Sequence, residues 1–211
     1  MSTLIDREYC LKHPQTIIKL FGTEVYLKMM ASKKSLLEHL TEYYAAHGYP
    51  MPGKVGDAYR LSSILEYRMA RIYKSLADKF RDNPAAHELF SELQEEEEEH
   101  GRLMEICRYT VKTHPELEFV PSVRDPEIQT MLQELKRIAN NIDDMSLEEA
   151  LETTERLEQG EINTIFDRLL KQTGQSESNF FEEQMHHLEG HGASVPKRIQ
   201  ELRETSDPTT H

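Results

Sequence analysis

Tryptophan is absent from the 211 residues, and cysteine occurs only twice, at Cys10 and Cys107. Two thiols cannot build a disulfide framework or a four-thiolate metal site, so a reducing compartment is expected. No stretch approaches the ~18 uninterrupted apolar residues of a membrane span. Met1 to Cys10 also lacks the basic segment and apolar run of a secretory signal. These absences predict a cytoplasmic protein with no membrane partner. Cations are scarce relative to anions: 25 Lys and Arg against 38 Asp and Glu leave a formal charge of -13. Such a chain repels a phosphate backbone, and nucleic acid is not expected as a partner. Hydrophobic residues, at 37%, are fewer than in an average globular chain, which fits a single helical domain with an appendage better than two large cores.

Gly and Pro, nine of each, act as punctuation, and strand signals are nearly absent. The first piece runs from about Pro14 to Ala46 and has a candidate break near Gly22. The second covers about Asp57 to Phe80. The third opens at Asn83-Pro84, a cap residue followed by Pro in the first turn, and continues to about Val111. Asp125-Pro126 opens another amphipathic helix inside a long connection, and Ser146 with Glu149 makes a capping box. The fifth piece follows as one helix to about Gln172. A last helix is expected from about Ser178 to His191, with a short helical stretch from Arg198 to Arg203 and a flexible tail. Residues 1–55 are therefore read as an N-terminal helical extension, 56–195 as a bundle, and 196–211 as a short helix and tail. The fold class is all-α: two helical hairpins joined by a long crossover that contains an extra helix, a topology of four-helix bundles.

Acidic residues occupy the stripes that should be apolar. Phe90, Leu93, Glu97, His100, Met104 and Cys107 advance by alternating steps of three and four, so they share one helix face. An ionised carboxylate buried there without a partner costs several kcal/mol, so it must be protonated, salt-bridged or bound to a cation. The same arithmetic puts Glu66 with Ala70 and Tyr73, and Glu158 with Glu161 between Thr154 and Ile165. Glu97-x-x-His100 alone is weak, because five consecutive Glu guarantee it. Its recurrence as Glu183-Gln184-Met185-His186 adds weight, each pair being preceded by a helix with an inward Glu, Glu66 or Glu158. A Glu from each of two helices plus Glu-x-x-His from the other two is the ligand pattern of dinuclear carboxylate bundles. Oxygen-rich ligands with one imidazole per ion suit iron or manganese.

With these residues in place the chain resembles the rubrerythrin branch of the ferritin-like superfamily over about residues 57 to 192. Leu65 to Ala77 is similar to its first ligand helix, with Tyr73 seven residues after Glu66. Glu97 and His100 match the second helix, Glu158 and Glu161 the third, Glu183 and His186 the fourth. The resemblance implies a ferritin-like four-helix bundle holding two iron ions, with manganese as the substitute at one or both positions. It implies that Glu66 and His100 bind one ion and Glu158 and His186 the other. Glu97 and Glu183 would bridge, Glu161 would change partner with oxidation state, and Tyr73 would hydrogen-bond a ligand carboxylate. The implied activity is reduction of hydrogen peroxide or dioxygen with electrons from an external donor protein. That donor is required because no Cys-x-x-Cys pair supplies a rubredoxin module. Phe166 stands where many relatives have a second Tyr. Oxidation of ferrous iron and a non-catalytic acidic scaffold are the alternatives.

Elsewhere the bland readings prevail. His187 and His191, four apart, lack a convergent carboxylate; Cys107 reads as a small buried apolar residue. The apolar stripe of the N-terminal piece must be buried somewhere, and a homodimer or higher homo-oligomer is expected.

Overall fold

The computed structural model describes residues 7–47, 53–110, 119–176 and 191–206, and all regular structure among them is helical. Four short helices come first: α1 (Arg7–Lys12), α2 (Pro14–Phe21), α3 (Thr23–Ala31) and α4 (Leu36–His47). Two long ones follow, α5 (Gly53–Lys79) and α6 (Pro84–Thr110). After them come α7 (Pro126–Asn141), a 3-10 turn at Ile142–Asp144, α8 (Leu147–Glu158), α9 (Glu161–Ser176) and α10 (His191–Ser206).

α5 and α6 pack along their whole lengths and form the centre of the molecule. Their pairings run in opposite directions: Phe80 lies against Phe90, Ala77 takes a hydrogen bond from His87, and Ser63 reaches Glu105. The hairpin is therefore antiparallel, as its short connection requires. Leu65, Met69, Ile72 and Leu76 of α5 and Phe90, Leu93 and Met104 of α6 are buried in its seam. Close approach depends on Gly101, where an added Cβ would stand 2.7 Å from the Tyr67 ring.

The remaining helices are fastened to this hairpin. Tyr59 donates from its hydroxyl to the Leu169 carbonyl at 3.3 Å, tying α9 to α5. Lys79 Nζ donates to the carbonyls of Ile142 and Asp143 at 2.7 and 2.6 Å, satisfying backbone acceptors where α7 ends. α10 bridges two helices: Arg198 pairs with Glu92 and Glu96 of α6, and Arg203 with Glu148 and Glu155 of α8. The apolar face of the N-terminal helices, including Ile17, Val25, Met29 and Leu40, joins the same core, with α2 and α4 against α6 of their own chain.

Several expected boundaries change. The N-terminal piece breaks at Gly22, whose φ of 91° favours glycine, and again at residues 32–35. The helix expected from Ser146 to Gln172 is two helices. Its capping box is present, but Gln159 and Gly160 interrupt it. The Gly160 N–H donates to the Leu157 carbonyl at 3.0 Å, and Asn163 Nδ2 donates to the Glu158 carbonyl at 2.9 Å, so local bonds replace those the break removes. Glu158 and Glu161 thus do not share one helical turn. The stretch expected from Arg198 to Arg203 belongs to the longer α10, which contains Pro196. The helix expected from Ser178 to His191 falls mainly outside the described residues.

In a helix interior Gly→Ala ordinarily stabilises by about 0.5–1 kcal/mol. At Gly101 the sign should reverse, with a loss of about 1–3 kcal/mol from overpacking against Tyr67. In a Tyr67→Ala background the same substitution should stabilise. Urea unfolding of the two single variants and the double variant checks this, and equal effects in both backgrounds would refute the close-packing account.

Candidate metal centre

Helical spacing brings Glu66 of α5 and both members of Glu97-x-x-His100 of α6 to the same level of the seam. One ligand atom from each of the three lies within 4.8 Å of the other two. The His100 Nδ1 atom faces both carboxylates, 3.2 Å from Glu97 Oε2 and 3.7 Å from Glu66 Oε2. All three are buried, Glu66 at 0%, Glu97 at 1% and His100 at 8% exposure. The Phe166 ring of α9 covers the imidazole, with centroids 4.4 Å apart at 31°.

A second group of side chains adjoins the first. Tyr73, two turns beyond Glu66 on α5, donates its hydroxyl hydrogen to Glu158 Oε1 at 2.5 Å. Asn163 Nδ2 donates to Glu158 Oε2 at 3.2 Å, so the last residue of α8 is held from two sides. Glu158 lies outside the three-residue group, yet its negative charge bears on Glu66 and the charge of His100 bears on Glu158.

The electrostatics follow from burial. Loss of water raises Glu66 to about 7, opposed by its hydrogen bond with Glu97 and reinforced by the charge of Glu158. Burial likewise lifts Glu97 well above the usual carboxylate range, with the charge of His100 pulling the other way. Glu158 is raised by burial and lowered by the bonds from Tyr73 and Asn163. The Tyr73 phenol is pushed far up, first by burial and then by the charge of Glu158. Glu66 Oε1 and Oε2 accept no hydrogen bond from an N–H or hydroxyl among the described residues. The facing Glu97 carboxyl can share a proton with Glu66 only while one of the two is neutral. One helical turn before Glu66, the buried Ser62 hydroxyl also has no partner among the described residues.

A cation answers this arrangement. Two carboxylates and an imidazole, with no buried lysine or arginine among the described residues, fit a hard or borderline metal ion, and the Glu66 oxygens, which face only Glu97 and His100, are acceptors that such an ion satisfies. The Glu66, Glu97 and His100 group can therefore hold a metal ion.

Of the other residues expected from the sequence, Glu158 and Tyr73 are brought beside this group. Glu161 begins α9, but its side chain lies outside the described residues, as do Glu183 and His186. Sequence reasoning missed Asn163, Ser62 and Gly101. Ser62 is legible in retrospect from its i–4 relation to Glu66, and Gly101 from its place beside His100. Asn163 carries no such signal, because its partnership depends on the break at Gly160. The chain matches no family model, no curated protein and no solved structure at a significant level.

The raised carboxyls fix the sign of a pH effect on the metal-free protein. Between 4.5, the ordinary value, and about 7, folded Glu66 keeps a proton that the unfolded chain has lost. That contribution is fully present below 4.5 and is lost as pH rises through about 7. For Glu66 alone the loss between acid pH and pH 8 amounts to roughly 3 kcal/mol. Chelator-treated protein should accordingly unfold at lower urea at pH 8 than at pH 5, and Glu66→Gln should flatten the difference. A stability that rises over this range in both proteins would contradict the assignment.

Proposed function

We propose that this chain is a non-haem dinuclear iron oxidoreductase of rubrerythrin type in a ferritin-like bundle. It reduces hydrogen peroxide, or dioxygen, with electrons from a separate donor protein. The observation that carries the reading is the burial of the Glu66 and Glu97 carboxylates with the His100 imidazole at the centre of the α5–α6 hairpin, where among the described residues the Glu66 oxygens have no hydrogen-bond partner beyond a proton shared with Glu97. Tyr73 and Glu158 add support because they bring a third carboxyl group and a fixed hydroxyl to the same region. In this reading Glu66, Glu97, His100 and Glu158 are metal ligands together with Glu161, Glu183 and His186, and manganese is the substitute ion.

When bound, the iron pair supplies Lewis acidity and the two electrons that peroxide reduction consumes. The protein's own contributions are orientation, exclusion of water and control of protons. Tyr73 keeps its proton at Oη across the neutral range and donates it to Glu158, which fixes that carboxylate's orientation. Asn163 holds the second oxygen of Glu158. Phe166 covers one face of the His100 imidazole with an apolar ring. Reduction of hydrogen peroxide to two waters also takes up two protons, and an acidic interior in which burial raises Glu66 to about 7 is suited to pass them.

Elemental analysis of protein purified anaerobically with ferrous iron tests the proposal. About two ions per chain are expected from a dinuclear ligand set, and Glu97→Gln should lose them while retaining its helical circular dichroism. Tyr73→Phe should lower metal affinity by about 10–100-fold, the usual effect of removing a group that orients a ligand. The ferrous protein should consume hydrogen peroxide with a change in its visible spectrum. A metal-free protein whose Glu97→Gln variant folds normally, with no spectral change on adding ferrous iron and peroxide, would leave only a helical scaffold.

A further inference from the structure

Among the described residues five large apolar side chains are notably exposed, and three of them, Ile64, Val120 and Val123, line one cavity of about 880 Å³. Its walls are the first part of α5 and residues 120–125, the segment leading into α7. The volume lies in the range of small-ligand pockets, and the apolar surface is gathered in a concavity rather than spread as a flat patch.

The same cavity is lined by Lys54, Arg60 and Arg124, all exposed and none engaged in an ion pair among the described residues. Two acids oppose them, Asp57 and Asp125. Asp125 is occupied locally: its Oδ2 accepts the Ser122 N–H at 2.8 Å in the turn before α7. The lining is thus cationic in a chain whose net charge is -13. α5 and α7 both begin at this cavity, and the partial positive charge of helix N-termini adds to the attraction for an anion. An inorganic anion would leave Ile64, Val120 and Val123 unused, and a neutral hydrocarbon would leave the three cations unused. A molecule with both an anionic head and an apolar body uses the whole lining.

We propose that this cavity binds a monomeric anionic amphiphile, an aliphatic carboxylate of medium chain length. Its head group meets Lys54, Arg60 and Arg124, and its chain covers Ile64, Val120 and Val123. The site is independent of the metal centre, which lies in the seam between α5 and α6.

Calorimetric titration of the full chain with octanoate, decanoate and dodecanoate below their micellar concentrations tests this. Affinity should rise about fourfold for each added methylene until the cavity is filled. Decanoate should bind at least tenfold more tightly than decanol. The exposed-residue triple variant K54Q/R60Q/R124Q should abolish that preference while binding decanol as the parent does, and Ile64→Asp should lose both ligands. Absence of saturable decanoate binding overturns the proposal, as does a decanoate affinity unchanged in the triple variant. Displacement by inorganic phosphate without dependence on chain length would instead mark a simple anion site. Co-sedimentation with phosphatidylglycerol vesicles without decanoate binding would mark a membrane contact. Either result overturns the small-molecule assignment.

Discussion

Desolvating a carboxylate costs several kcal/mol, and the α5–α6 hairpin imposes that cost on Glu66 and Glu97 side by side, with His100 facing both and solvent almost wholly excluded. Among the described residues no buried lysine or arginine offsets it; Leu65, Met69, Leu93 and Met104 are buried in the same seam. Without an ion the cluster can persist only by holding protons, which is why its carboxyls titrate far above their ordinary range. With an ion the same geometry becomes favourable. The long apolar seam extends beyond the cluster in both directions, so the polar level is a local exception within a continuous core.

The supporting residues keep that exception from relaxing. Gly101 lets the Tyr67 ring lie on α6 immediately beside His100, and this sets how closely the two helices approach at the cluster. Phe166 reaches the imidazole from α9, and the bond from Tyr59 to the Leu169 carbonyl holds α9 in place one turn further on. Tyr73 and Asn163 position Glu158 from two different helices. Gly101 and Tyr67 are next in sequence to members of the acidic cluster, and Phe166 and Tyr73 touch its side chains or the adjoining Glu158. Substitutions that look structural therefore act on the site as well. The α10 arginines act from outside, pairing with carboxylates on α6 and α8 and so converting part of the surplus negative charge into attachment.

How far the sequence could be read is best seen in particular elements. Asp125-Pro126 and Asn83-Pro84 announce α7 and α6 because Pro is compatible with a first turn and excluded from most later positions. The Ser146 and Glu149 capping box is equally local, and both of its bonds are present. The break between α8 and α9 was not readable. Leu147, Leu151, Thr154, Glu158, Glu161, Ile165 and Leu169 keep helical spacing straight through it, and a single Gly inside a periodic stripe is tolerated in many helices. The turn that ends the helix here favours Gly160, where a Cβ would stand 3.0 Å from the Leu157 carbonyl oxygen, and Asn163 supplies a substitute donor to the Glu158 carbonyl.

By itself the sequence determined that the chain is helical and that Glu66, Glu97 and His100 interrupt apolar stripes. Both are properties of periodicity along one strand of chain, and periodicity is local. Only the tertiary structure decided that those interruptions meet, that Glu158 is held by Tyr73 and Asn163 instead of joining the three-residue group, and that cations and exposed aliphatic side chains from α5 and residues 120–125 surround one cavity. Convergence of this kind depends on the register and separation of helices far apart in sequence, which are set by side-chain packing between them.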